Sequence, residues 1–363
     1  RATRPAALTL KGWIELFHAS ELRNPDGDRS RWEKAAATLK EVIDLGLFTL
    51  QPTILDLWTA ETNGNPEVIY DFQMSKQNGG RREGLFGPVF VNGIQSSWGN
   101  MQPTQELVDD YCMANGLPIS DPASGYDPQH PYENREKRFY QSILYDGSMW
   151  QGEEIITRVG VGSPNEIDTS SSSDVTNTGY YTRKTLDESV NGADNLQMSN
   201  GMANYIFFRY ADVLLMYAEA LLESGDKEGA IHYLDMVRTR GDNMPSINET
   251  YKSGISVNQL RDVLRRDRRI ELAFEDKRYW DIIRWKICDG ENGVMNKPVG
   301  GMMITDADGD GILEYNYHEV CPRTFLPRMY YQPIPQYVLD KNPVIREQNG
   351  GEDNWNNGQN PGY

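Results

Sequence analysis

The residues best suited to gripping a ligand cluster in GLFGPVFVNGIQSSWGNMQP, residues 84–103 of a 363-residue chain. Phe86, Phe90 and Trp98 offer flat rings there, and Asn92, Gln95 and Asn100 offer amides, all among glycines. This combination suits a sugar. Its C–H faces stack on aromatic rings, and its hydroxyls need both donors and acceptors. Trp98 is the leading platform; the competing reading is that it anchors the loop on the core, since Trp is usually well buried. Trp58, Tyr126 and Trp150 are secondary candidates, Trp150 being the most readily explained by packing.

A second constellation is ITDADGDGILEY, with Asp306, Asp308 and Asp310 at alternate positions followed by Gly311. That is the front half of a calcium loop, and the Ile312 carbonyl could supply the next ligand. The twelfth position is Tyr317 where such a loop needs a bidentate Glu, so Glu314 or Glu319 would have to substitute. The competing reading is a polar hairpin turn, which Asp-Gly pairs favour. A structural calcium is thus the one candidate cofactor, and none is required.

Other chemistries are poorly served. His318 and Cys321 form an HxxC pair with no second ligand pair for zinc. GxSxG, HExxH and P-loop motifs are all missing from the sequence. A formal charge of −17 opposes a nucleic-acid partner, which needs a basic face. Three widely spaced cysteines, Cys112, Cys288 and Cys321, leave the redox compartment open. No apolar run approaches the roughly 20 residues of a membrane helix.

The elements that must position these residues are mainly helical. Residues 4–19 and 30–45 read as a hairpin: Leu8, Gly12, Trp13 and Leu16 recur at helical spacing, then Trp32, Ala35, Ala36, Leu39, Val42 and Ile43. NPDGD between them holds the residues that stop one helix and cap the next. A second pair follows in NYIFFRYADVLLMYAEALLESGD and KEGAIHYLDMVRTRG, with the small/large alternation of tetratricopeptide hairpins. A third pair spans 256–276 and 277–287. Between the first two pairs PEVIYDFQ reads as a strand with Val68, Tyr70 and Phe72 on its apolar face; RFYQSILY and GYYTRK are weaker strands. Long polar loops surround them.

The run RRDRRIELAFEDKRYWDIIRW, residues 265–285, invites a catalytic or nucleic-acid reading. Its seven basic and five acidic residues nearly cancel. Leu260, Leu264, Ile270 and Phe274 make a helical stripe interrupted by Asp267. Spacing pairs Asp262 with Arg265 and Arg266, Arg268 with Glu271, Glu275 with Arg278, and Lys277 with Asp281. The expectation is scaffold, with Trp280 and Trp285 in the core and no ligand contact.

That same run closely resembles the C-terminal signature of SusD/RagB-type proteins, surface nutrient-binding lipoproteins of certain Gram-negative bacteria. PTQELVDDYCMANGLPI, YDPQHPYENREKRFYQSILYDGSMWQG, NTGYYTRK, FFRYADVLLMYAEALLESGD, YYQPIPQYVLDKNPVI and the terminal QNPGY resemble further family segments in the family's order. The family's closing motifs usually run together, whereas REQNGGEDNWNNG is inserted before QNPGY here. Family members are markedly longer, so the expectation is a chain lacking the N-terminal third, with its signal peptide and lipidated cysteine.

The resemblance implies a mainly α fold: tetratricopeptide-like hairpins packed against an irregular, loop-rich segment with a few short strands. The expected organisation is one discontinuous domain: a first hairpin at 1–46, a ligand-face segment at 47–202, further hairpins with the signature at 203–288, and a loop-rich C-terminal segment at 289–363. The implied function is non-enzymatic: capture of a glycan at the outer-membrane surface and delivery to a SusC-like TonB-dependent transporter. Membrane contact would be made only through a lipid anchor absent from this chain.

Two other classes compete. A helical glycoside hydrolase needs two carboxylates across a cleft, which Glu153-Glu154 and Asp109-Asp110, adjacent in sequence, do not supply. A tetratricopeptide adaptor for peptides would place its groove on the helices and would be indifferent to Trp98.

Overall fold

A computed structural model describes residues 3–59, 64–75, 77–170, 174–342, 344, 359–360 and 362. The insertion at 346–358, with Pro361 and Tyr363 of QNPGY, lies outside the described residues.

Six principal helices form the frame: α1 (Arg4–Ala19), α2 (Arg29–Asp44), α3 (Tyr210–Glu223), α4 (Lys227–Arg238), α5 (Val257–Glu271) and α6 (Arg278–Arg284). Their starts follow local chemistry. The side chains of Thr3, Asp28, Asp226 and Ser256 each accept from a backbone N–H in the first turn of α1, α2, α4 and α5. In the α1–α2 connection the Asn24 side chain accepts from the Asp28 N–H at 2.8 Å and donates to the Ala19 and Asp28 carbonyls. Gly12 lets the two helices approach closely. A Cβ there would lie 2.7 Å from Leu39 Cδ2.

Leu16, Leu39, Leu214, Ala218, Leu234 and Leu260 meet in one core drawn from α1 to α5. Each such leucine contributes about 1.5–3 kcal/mol by leaving water. The third pair departs from the hairpin expectation. While α5 joins this core, Ile282, Ile283 and Trp285 pack instead with Cys288 and with Phe325 and Tyr330 of the C-terminal segment. The chain breaks between α5 and α6 at Phe274 and Asp276, which both take left-handed backbone conformations (φ 64° and 58°).

The strands described are short and pair in twos. Val68–Phe72 runs antiparallel to Tyr205–Arg209, which leads directly into α3. The expected inward face of the first strand holds only at Val68, which packs on the core of Ile54, Leu57 and Trp58; beyond it a register shift reverses the faces. Ile69 enters the helical core, whereas Tyr70 and Phe72 face solvent, with the Tyr70 ring 5.4 Å from that of Phe207. Both faces carry apolar residues, so alternation alone did not fix the inward one; the helices packed beneath did. RFYQSILY starts as a helix (Lys137–Ser142), and only Ile143–Leu144 is extended, pairing with Tyr181–Thr182 of GYYTRK.

The arginine-rich run is scaffold, but by different pairings from those its spacing suggests. Glu271 accepts from Arg138 at 3.2 Å, Arg209 at 2.8 Å and Arg240 at 2.8 Å. Asp267, the residue that breaks the apolar stripe, accepts from Arg138 at 2.7 Å and Arg238 at 2.8 Å. Arg268 bridges Asp212 and Asp281, while Arg284 and the Trp285 indole N–H converge on Glu219. Lys277 faces Asp212 at 3.5 Å, not Asp281. The partners of Asp267, Arg268 and Glu271 come from other elements because these side chains lie buried on α5, while Arg284 also pairs with Asp281 of its own helix. Trp285 is buried as expected. Trp280 is not: it is 44% exposed.

Burial on its own would raise the Glu271 carboxyl. The guanidinium groups of Arg240, Arg209 and Arg138 outweigh it and hold the group below the usual carboxylate range. For Lys184, 2.6 Å from Glu275, burial dominates and pulls the ammonium down to about 8.

Candidate functional site

Trp98 sits on a loop pinned from both sides. The hairpin before it pairs Phe90 with Gln95 and Val91 with Ile94 across the turn Asn92-Gly93, both residues at positive φ (52° and 71°). Asn-Gly is the favoured dipeptide for such a turn, which gives Asn92 a structural role. After the hairpin the Ser96 N–H donates to the Val89 carbonyl at 2.7 Å. The Trp98 N–H donates to that of Gly84 at 3.1 Å, and the Asn100 N–H to that of Leu85 at 2.9 Å. Ser96, Ser97 and Gly99 are buried while Trp98 and Asn100 point outward. Trp98 is 40% exposed and belongs to none of the described hydrophobic cores, so it does not anchor the loop.

The opposite wall comes from residues a hundred positions later. The helix Gly192–Met198, capped by Asn191, lies against the helix Arg82–Phe86. A Cβ on Gly84 would meet Leu196 Cγ at 2.6 Å and one on Gly192 the Ser96 carbonyl oxygen at 2.4 Å; close packing here therefore demands glycine. Buried Asn195 locks the junction, accepting from the Gly84 N–H at 3.1 Å and donating to the Gly80 carbonyl at 2.8 Å. The result is a shallow cleft of about 380 Å³ lined by Trp98, Gln95, Gln197, Arg81, Leu85 and Leu196. A half-open indole flanked by two amides and a guanidinium can stack on a sugar face and bond its hydroxyls.

The other aromatic candidates are not brought together with Trp98. Trp150 lies in a core with Val89, Leu144 and Tyr181, against which Phe86 and Phe90 are half-buried. Trp58 is buried beneath the Lys184 ammonium, 5.2 Å from its ring. Packing covers Trp150, whereas Trp58, though buried, borders a small pocket of about 170 Å³ that it shares with Phe86, Arg82 and Tyr205. Tyr126 is half-buried, with the Arg135 guanidinium 5.8 Å from its ring. The sequence alone does not point to Arg81, Leu196 or Gln197; the Asn191 cap marks the helix that carries Leu196 and Gln197, but nothing local places it against Arg81 and residues 82–86.

Asp306, Asp308 and Asp310 form the tip of the hairpin Val299–Thr305/Glu314–Cys321, each offering a carboxylate oxygen within 4.8 Å of the others. Backbone N–H groups of Asp310, Gly311 and Ile312 donate to Asp308, Asp306 and Asp310 respectively, as in a tight polar turn. Glu314 is engaged by the Thr305 hydroxyl at 2.9 Å, and Glu319 lies opposite Gly300, far along the ladder. Three carboxylates and the Ile312 carbonyl fall short of the 6–8 oxygens calcium takes, so water would have to complete the shell.

A sequence profile of the SusD family matches residues 66–355. This chain belongs to the SusD family. SusD-like protein P38 of Formosa agariphila is 26% identical over 248 residues, covering 62% of this chain and 41% of the relative. SusD-like protein P2 of the same organism is 40% identical over 103 residues, 26% of this chain and 20% of the relative. A crystallised SusD-like protein from Bacteroides fragilis superposes with a TM-score of 0.73 at 28% identity, over 94% of this chain and 64% of that one. A second crystallised B. fragilis protein, described as SusD-like and carbohydrate binding, gives 0.74 at 26% identity over the same shares. This SusD-family chain therefore spans about two thirds of those structures and less than half of either relative. None of its described helices is long and apolar enough to cross a membrane.

Proposed function

We propose that this SusD-family chain is a glycan-capturing surface protein. It holds an oligo- or polysaccharide at the outer-membrane surface and delivers it, uncleaved, to a SusC-like TonB-dependent transporter. The observation that carries this reading is the exposed Trp98 ring, bordered by Gln95, Gln197 and Arg81 on a loop whose backbone is fixed. A platform held in place before binding loses little conformational freedom when a sugar stacks on it. The carbohydrate-binding description of the B. fragilis neighbour supports the same ligand class.

The hydrolytic alternative gains no support from the Trp98 cleft, whose lining contains no Asp or Glu. Affinity electrophoresis through gels containing different polysaccharides tests the proposal: one or more should retard the chain, and the recovered polysaccharide should be of unchanged length. No retardation by any of them, or shortened chains, would overturn it. Delivery is tested separately, by co-purification of the protein with a TonB-dependent transporter.

A further inference from the structure

A second cleft, of about 500 Å³, lies away from Trp98 where residues 106–110, the end of α5, the start of α6, residues 294–297 and Arg323 converge. Its charges are unevenly satisfied. Asp110 is paired with Arg269. Glu106 accepts from the Gly300 N–H and the Tyr317 hydroxyl, both at 3.1 Å, and Asp109 accepts from Gln105 at 2.6 Å. Arg323 is held by the Lys297 and Val294 carbonyls at 2.8 and 2.7 Å. Arg278 and the Lys297 ammonium have no hydrogen-bond or ion-pair partner among the described residues, whereas Arg268 and Arg284 of the same run are each paired twice. The open valence of this cleft is positive, in a chain whose net charge is −17.

Arg278 is also poorly hydrated. Burial, with the nearby Arg269 charge, outweighs the attraction of Asp110 and Asp281 and pulls its guanidinium down to about 10, so it stays charged at neutral pH with its desolvation only partly offset. Tyr279, Ile282, Val294 and Met295 supply an apolar wall beside it. The acidic groups, though engaged, keep free lone pairs that can accept from hydroxyls.

We infer that this cleft binds an acidic saccharide unit, its carboxylate or sulfate taken by Arg278 and Lys297. An arginine fork matches the paired oxygens of either group, and Lys297 adds a point charge. The sugar's apolar face lies along Tyr279, and its hydroxyls donate to Glu106 and Asp109. The inference rests on the glycan-binding reading for the sugar, and on the cleft alone for the charge.

The test is calorimetric titration at constant ionic strength with trigalacturonate, its neutral methyl ester and a sulfated carrageenan tetrasaccharide. At least one acidic probe should bind the chain about tenfold or more tighter than the ester, consistent with a charge-assisted bond. Whichever acidic probe does so identifies the anion. Arg278→Gln should abolish that preference, and Lys297→Gln, at an exposed position, should reduce it several-fold. Failure of both acidic probes to bind more tightly than the ester, or a preference that survives Arg278→Gln, would overturn the inference. If Arg278→Gln does not fold by circular dichroism, the wild-type preference and its reduction in Lys297→Gln decide the matter. Retardation by neutral polysaccharides, lost in Trp98→Ala, reads the Trp98 face independently, so the two readings can fail separately.

Discussion

Arg209 and Glu275 face each other through two hydrogen bonds of 2.8 Å, one partner ending a strand and the other lying just beyond α5. The same guanidinium reaches Glu67 at 2.7 Å and Glu271 at 2.8 Å, so one side chain joins the paired strands to the signature helix. Arg209→Ala would leave three buried carboxylates short of a partner, and should cost about 3–5 kcal/mol of unfolding free energy in urea titrations. Arg209→Lys should recover little of this, because an ammonium cannot reproduce the two-pronged geometry. A loss below about 1 kcal/mol for the alanine variant would mean that the buried network contributes little to stability.

Acid should unfold the protein through the same network. For Asp212, Glu219, Asp267, Glu271 and Glu275 burial works to raise the carboxyl, but the facing cations win and hold each one low. Their contribution is complete above the ordinary values of 3.8 for Asp and 4.5 for Glu, and is lost as pH falls below them. Lys184 acts at the other end. Its ammonium is lowered from 10.5 to about 8, so between those values the unfolded state binds more protons and this residue's contribution rises with pH. Melting followed by circular dichroism from pH 3 to 10 should show a steep fall below about pH 4.5.

Gly192→Ala tests whether the two short helices under the Trp98 cleft must touch. The new methyl would stand 2.4 Å from the Ser96 backbone oxygen, which cannot swing aside as a side-chain end could. Melting should reveal a cost of about 1–3 kcal/mol, and polysaccharide retardation should weaken because the Trp98 loop shifts. Unchanged retardation in a folded variant would separate the loop from the binding face.

Removing divalent cations should leave global stability nearly unchanged. The Asp306, Asp308 and Asp310 turn is exposed at the tip of a hairpin whose ladder runs from Glu314↔Thr305 to Cys321↔Val299 without it. A chelator should move the unfolding free energy by no more than about 0.5 kcal/mol. A drop of several kcal/mol would show an ion holding more than this turn.

The helical frame was readable because its signals are local: Asp28 and Asp226 cap their helices, and Leu16, Leu39 and Leu234 recur at helical spacing. The family was readable for the same reason, since its motifs are contiguous. Pairings across the chain were not. Asp267 looks like a flaw in an apolar stripe until Arg138 and Arg238, from distant segments, are seen to meet it. Trp98 could be singled out by composition, yet its outward turn depends on backbone bonds to Gly84 and Leu85, and Gln197 reaches it only through tertiary packing. Trp58 and Trp150 show the reverse, being equally aromatic in sequence but covered by the fold.

The most direct test is the dissociation constant of wild type and Trp98→Ala for whichever polysaccharide retards the wild-type chain. The substitution removes an exposed ring from a loop held by its backbone, so the fold should be untouched. Affinity should fall by about 2 kcal/mol or more, roughly thirtyfold. An unchanged dissociation constant in a folded Trp98→Ala variant would contradict the assignment of glycan capture to this face.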